Sequence, residues 1–230
     1  ESIFDSVYLE QILQTGRAFS AVMDLVTVLL VYMLGTRLFN RKVGVLGAAF
    51  SALAVMQIQQ SHFYTSDSFS TTFTTLALYF AARLATQPMI EPEQKANIRG
   101  FRSESLRNSL WFGLAIGAAM ACKINTALMA LLLPAAWFIY LMRHTPEQRS
   151  ELISAGLRDM VVGGLGAFLL FRILQPYAFT GPGFFGILPN EKWLANLREL
   201  STQMSGDVDF PPALQWARRP VTYSFTNMVT

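Results

Sequence analysis

Apolar runs constrain this chain more than any other feature of its sequence. Of its 230 residues, 52% are hydrophobic and only 14% are charged, whereas soluble domains carry about 25% charged residues. A helix needs roughly 17–25 mostly apolar residues to cross a membrane. About six runs approach that length, at residues 18–39, 43–57, 69–84, 109–122 and 127–142 and from residue 160 onward. The sequence therefore predicts an all-α fold, a polytopic transmembrane helical bundle.

Basic residues are concentrated in three of the connections between these runs. They are Arg37, Arg41, Lys42, Arg83, Lys95, Arg99, Arg102, Arg107, Arg143, Arg149 and Arg158. The positive-inside rule makes these connections cytoplasmic. We therefore predict an integral membrane protein with a bundle over residues 1–175 and a cytoplasmic loop near 86–107. A family resemblance described below adds the expectation of a bacterial plasma membrane.

The remaining residues, 176–230, are rich in Pro and Gly turns and predict an extracytoplasmic segment of loops and short helices. One amphipathic helix is predicted near residues 190–204, where Trp193, Leu194, Leu197 and Leu200 recur at helical spacing. Such a helix either lies on the membrane surface or covers a small soluble cap. The chain begins at Glu1 without a signal peptide, and we expect it to be an internal piece of a longer membrane protein.

Several classes of function find no support in the sequence. The basic residues form no patch with interleaved aromatic rings, so nucleic acid is not expected as a partner. The chain has no HExxH, CxxC, P-loop or GxGxxG motif, and no metal ligands are assigned, although a divalent metal is left open. The single cysteine, Cys122, permits no disulfide within the chain.

Polar and charged residues cluster at the predicted extracytoplasmic ends of the apolar runs. The segment "QQSHFYTSDSF" holds His62 and Asp67, and "CKINT" holds Lys123. Asp67 either caps the following helix or belongs to a site that binds a hydroxylated substrate, a metal or a cation. Lys123, Arg17 and Arg172 either extend their charges to the membrane surface or bind an anion such as a lipid phosphate.

Asp24 lies about two turns inside the first apolar run. It follows Arg17 by seven positions and therefore lies on the same helix face. A carboxylate within a membrane helix is by default a functional candidate. The alternative is a structural ion pair with Arg17 or with a neighbouring helix.

Residues 16–84, from "GRAFSAVMDLV" through "QSHFYTSDSF" to "YFAARL", resemble the second to fourth helices of glycosyltransferases of the C-type (GT-C) membrane fold. The similar families are the dolichyl-phosphate-mannose protein mannosyltransferases and the aminoarabinose transferases. The resemblance rests on Gly16–Arg17 entering a helix, the basic turn at Arg41–Lys42, and Asp67 opening the next helix. "GLAIGAAMACKINTALMALLLPAAW" resembles a second family stretch and places Lys123 at the position of the family's lysine.

The resemblance implies inverting transfer of a sugar from a polyprenyl-phosphate donor to a protein or lipid acceptor on the extracytoplasmic face. It implies Asp67 as a catalytic residue. The substrate-binding residues would be Arg17, His62, Lys123, Arg172, Gln175 and Tyr177. The family's catalytic acid usually lies in a first outer loop that would precede this sequence, so neither Asp5 nor Glu10 is assigned as the base. The alternative is a membrane scaffold subunit without catalytic activity that assembles with other membrane subunits.

Overall fold

The computed structural model describes residues 2–89, 98–181 and 186–205, together with 219–220, 222–223 and 226. The fold is all-α, as predicted. The chain divides into two compact units, Glu1–Leu174 and Gln175–Thr230, and each is described by itself.

Long helices make up the first unit. They are α1 (Ser2–Leu38), α2 (Arg41–Ala52), α3 (Val55–Ser61), α4 (Ser66–Ala85), α5 (Ile98–Cys122), a 3-10 segment (Ile124–Leu131) that continues into α6 (Leu132–Met142), and α7 (Pro146–Leu174).

Two helical segments are by themselves long and apolar enough to cross a membrane, namely Glu10–Leu38 and Ile124–Met142, and α2 with α3 would make a third if the bent pair is one span. The helices α4, α5 and α7 do not meet the same test because polar residues interrupt them, such as the buried Ser70, Asn108 and Asp159. The membrane-spanning character of the protein is thus confirmed, and the number of about six spans stays a prediction.

The second apolar run differs from the expected single helix. It is broken after Leu53 into α2 and α3, which meet at a bend of 59°. Ala54 adopts an extended conformation at the break, and the Ser51 hydroxyl donates a 2.8 Å hydrogen bond to Gln57 Oε1 across it. The bend therefore comes with a polar contact that a straight apolar helix would not make.

The loop predicted near residues 86–107 is shorter than expected, because α5 already begins at Ile98. Arg83 of α4 pairs with Glu104 of α5 at 3.1 Å, and Ser105 is fully buried. These contacts hold the first turns of α5 against the bundle. Residues 90–97 lie outside the described part of the chain.

Glycine lets α5 and α7 pack backbone to backbone. A Cβ atom on Gly113 would overlap the Gly163 carbonyl, and one on Gly117 would overlap the Ala167 carbonyl. Small residues allow such close approach between helices in lipid. Since both contacts advance by four residues along each helix, α5 and α7 run in the same direction.

Several charged side chains mark the two ends of this first unit. At one end, which we call the arginine end, Arg37 donates to Thr86 Oγ1 at 2.9 Å and Arg143 donates to the Ala85 carbonyl at 2.7 Å. At the opposite end, which we call the lysine end, Lys123 follows α5 and meets Asp67 at the start of α4. Lys123 is therefore separated from the basic connections by the length of the bundle, in agreement with the sequence prediction.

The second unit is small. It contains a 3-10 turn (Pro176–Ala178), a ribbon of two short strands, β1 (Phe179–Thr180) and β2 (Leu188–Pro189), which pair antiparallel, and α8 (Glu191–Ser205). The bounds of α8 differ by one residue at each end from the amphipathic helix predicted near 190–204. The extracytoplasmic location of this unit stays a prediction.

Candidate functional site

Asp67 lies in the first turn of α4 but does not cap it. Thr65 occupies the cap position, without a side-chain cap hydrogen bond. The positive end of the helix dipole still favours a carboxylate there. Asp67 is therefore not the cap residue of α4, so the capping interpretation is wrong. Its carboxylate is available for another partner.

That partner is Lys123, which directly follows α5. Its Nζ donates a hydrogen bond to Asp67 Oδ1 and forms an ion pair with it. The two residues are 56 positions apart in the sequence. The side chains are 41% and 43% exposed, so the pair is open to the surroundings at the lysine end.

A cavity of about 280 Å³ adjoins this ion pair. Its walls come from α1, from α3 with the preceding residue, and from the first two turns of α4. The lining residues are Asp24, Thr27, Ala54, Met56, Gln57, Gln60, Asp67, Ser68 and Thr71. Seven of the nine lining residues have polar side chains, but carbon atoms make up most of the surface that the cavity exposes.

Asp24 places a second carboxylate on this cavity and is half-buried. The ion pairs among the described residues do not include Asp24 or Arg17, so the expected pairing between the two is not seen. Asp24 therefore faces the cavity with its charge uncompensated by an ion pair in the described part of the chain.

Hydroxyl groups fix the wall of the cavity where α1 meets α4. Thr72 Oγ1 lies 2.8 Å from Thr27 Oγ1 and 2.9 Å from the Met23 carbonyl oxygen. Both threonines are buried. These contacts hold Asp24, one residue after Met23, in a fixed position relative to the first turns of α4.

Gly16 and Arg17 also lie towards the lysine end. The ring of Tyr64 rests on Gly16, and any Cβ atom there would overlap it. Tyr64 precedes α4 by two residues, so this contact holds the connection that leads to Asp67. Arg17 itself is exposed, and its assignment to the donor phosphate stays a prediction.

His62 and Arg172 are not among the residues that line the cavity. His62 is exposed, and its Nδ1 lies 2.7 Å from the Ile58 carbonyl oxygen. Arg172 is 8% exposed. Because Gly117 packs on Ala167 and the helices are parallel, Arg172 reaches the level of Cys122, at the lysine end. Their roles in substrate binding stay predictions.

Gln175 and Tyr177 belong to the second unit. Gln175 is half-buried and Tyr177 is 51% exposed, and the Tyr177 carbonyl accepts a hydrogen bond from Asn190. Their assignment to the substrate site stays a prediction. Among the described residues, no three His, Cys, Asp or Glu side chains lie close enough together to hold a metal ion.

The sequence interpretation missed Gln57 and Gln60 as cavity residues. The sequence could have indicated both residues. Gln57 and Gln60 lie three positions apart in the otherwise apolar run "AVMQIQQ", and this spacing places them on one helix face. His144 is buried as well, with its ring centroid 4.5 Å from that of Tyr140.

The fold and the site define a class: helical membrane proteins with a charged, hydroxyl-rich cavity at one end of the bundle. Residues 9–173, well over half of the chain, match the family model described as dolichyl-phosphate-mannose-protein mannosyltransferase. The chain belongs to this family, whose members are membrane glycosyltransferases, and the family implies a polyprenyl-phosphate sugar donor. Comparisons with curated proteins and with solved structures gave no match.

Proposed function

We propose that the full-length protein transfers a sugar from a polyprenyl-phosphate donor to a protein or lipid acceptor at the extracytoplasmic face. The lysine end of the bundle is the site of transfer. The observation that carries this proposal is the Asp67–Lys123 ion pair beside a cavity whose lining residues are mostly polar, at the end of the bundle opposite the basic connections. The family match supports the type of reaction.

Lys123 suits the donor phosphate. An ammonium group has three donors, and Asp67 takes one of them in the described structure. A phosphate oxygen beside Nζ would accept a charge-assisted hydrogen bond. Asp67 holds the ammonium in place, so loss of its charge would leave Lys123 free to move away from the phosphate.

The transfer itself exchanges one bond for another. The bond between the sugar's anomeric carbon and the phosphate oxygen breaks, and its electron pair stays with the phosphate. The acceptor oxygen forms the new bond to the anomeric carbon and loses its proton to a carboxylate. Positive charge at Lys123 stabilises the phosphate as its negative charge grows, which is the electrostatic contribution expected of such a site.

The test uses membrane vesicles that contain the full-length protein and radiolabelled polyprenyl-phosphate mannose. Label that moves to the protein or lipid fraction measures transfer. Asp67→Asn keeps the size of the side chain but removes its charge, and should lower transfer about 100-fold or more. Lys123→Ala should weaken donor binding about 10- to 100-fold, the value of a charge-assisted hydrogen bond.

Glu104→Gln is the matched control because it breaks an ion pair at the arginine end. It should leave transfer unchanged. Full transfer by Asp67→Asn would remove Asp67 from the site. Absence of transfer by the unaltered protein, with intact assembly in every variant, would instead favour a scaffold subunit.

A further inference from the structure

We propose that the cavity lined by Asp24 and Gln57 is a subsite for the hydroxyl groups of the transferred sugar, with Asp24 as their acceptor. This inference rests on the proposed function and adds to it a place for the sugar itself. It concerns the cavity, whose lining does not include Lys123, the residue proposed to bind the phosphate.

The two carboxylates beside the cavity differ in how their charges are compensated. Lys123 compensates Asp67, whereas Asp24 has no ion pair among the described residues. A half-buried carboxylate loses hydration and needs hydrogen-bond donors in return. Asp24 therefore favours a ligand that brings donors into the cavity.

Gln57 contributes an amide to the same cavity wall. Gln57 Oε1 already accepts a hydrogen bond from Ser51. Gln57 Nε2, by contrast, is buried and has no hydrogen-bond partner in the described part of the chain. An unmet buried donor costs free energy, so a rotation of this amide toward the cavity would favour a ligand that brings an acceptor.

Together these two groups select a type of ligand. A phosphate would satisfy Gln57 but would be repelled by Asp24. An ammonium or a metal cation would satisfy Asp24 but offers nothing to the Gln57 donor. A hydroxyl group both donates and accepts, so a neutral polyhydroxyl ring suits both. Gln60, Ser68 and Thr71 line the same cavity and add further donors and acceptors.

The cavity also has a suitable position and size. It borders Asp67, and through Asp67 the ammonium of Lys123, so a sugar in the cavity would lie next to its own phosphate. Its volume of about 280 Å³ is close to the lower limit of about 300 Å³ for small-molecule pockets. This is room for one small ring rather than for a long isoprenoid chain.

The test compares two probes on the full-length protein in nanodiscs: polyprenyl-phosphate mannose and polyprenyl phosphate without a sugar. Asp24→Asn should weaken binding of the sugar-bearing lipid about 10- to 100-fold, as for loss of hydrogen bonds to a charged group, and leave binding of the bare lipid unchanged. Gln57→Leu should weaken binding of the sugar-bearing lipid by a smaller factor and leave binding of the bare lipid unchanged. Glu10→Gln, on α1 outside the cavity, is the matched control.

The outcomes separate the two proposals. Equal losses for both lipids, or no loss in either cavity variant, would overturn the subsite while leaving the proposed function intact. Binding of neither lipid by the unaltered protein would overturn the proposed function and the subsite together. If Asp24→Asn does not fold, as judged by its thermal unfolding, the selective loss in Gln57→Leu decides the question in its place.

Discussion

At the scale of single residues, Lys123 and Asp67 have a geometry that favours function over stability. Both side chains are about two-fifths exposed, and exposed ion pairs contribute about 0–1 kcal/mol to stability. An ion pair of so little structural value, held beside this cavity, is well placed to bind a charged substrate. Its removal should therefore affect activity far more than folding.

We accordingly predict that Lys123→Met lowers the free energy of unfolding by about 1 kcal/mol or less while transfer is strongly reduced. Methionine keeps the length of the aliphatic chain and removes the charge. Thermal unfolding in detergent checks stability, and the vesicle assay checks transfer. A loss of several kcal/mol with transfer retained would show that the pair is a structural element.

At the scale of elements, the position of Lys123 depends on how closely α5 approaches α7. Gly113 and Gly117 bring the two backbones into contact, and α5 ends at Cys122, one residue before Lys123. A wider spacing between the helices would move the end of α5, and with it the ammonium group. The glycines therefore act on the site through packing alone.

Gly113→Val tests this dependence. Its side chain would overlap the Gly163 carbonyl, and we expect a loss of stability of about 1–3 kcal/mol from overpacking, together with reduced transfer. Thermal unfolding measures the first effect and the vesicle assay the second.

Gly164→Ala is the control for that variant, because a Cβ atom there meets nothing within 4 Å. Alanine also has the higher helix propensity, so stability should be unchanged or slightly higher. Equal stability of Gly113→Val and the unaltered protein would show that α5 and α7 do not need this close contact.

At the scale of the whole molecule, the separation of charges between the two ends predicts an orientation in the membrane. The basic connections lie at the arginine end, and the positive-inside rule places that end in the cytoplasm. The Asp67–Lys123 pair and the cavity then face the other side. This orientation determines on which side a donor and an acceptor can meet.

Cysteine labelling in intact cells checks the orientation. In a Cys122→Ser background, Asn125→Cys places a thiol at the lysine end and Lys42→Cys places one at the arginine end, and both native residues are exposed. A membrane-impermeant maleimide should label the first variant and not the second. The reverse pattern would place the site on the cytoplasmic side and contradict the proposed acceptor location.

The sequence by itself determined the all-α membrane fold and the separation of the basic connections from Lys123. Hydrophobic run length and the placement of charges are local properties, and the approximate positions of the helices follow from them. The break after Leu53 and the start of α5 at Ile98 do not. The same local patterns also indicated Asp67 and Asp24 as candidates, since a carboxylate beside or inside an apolar run is unusual in lipid.

Only the tertiary structure decided which of these groups meet. Asp67 and Lys123 lie 56 positions apart, and the cavity needs α1, α3 and α4 at fixed rotations about their axes. Those rotations depend on non-local contacts, such as Thr27 with Thr72 and Tyr64 with Gly16, and on the bend between α2 and α3. A sequence period defines the faces of one helix, but it does not specify which face of another helix lies opposite.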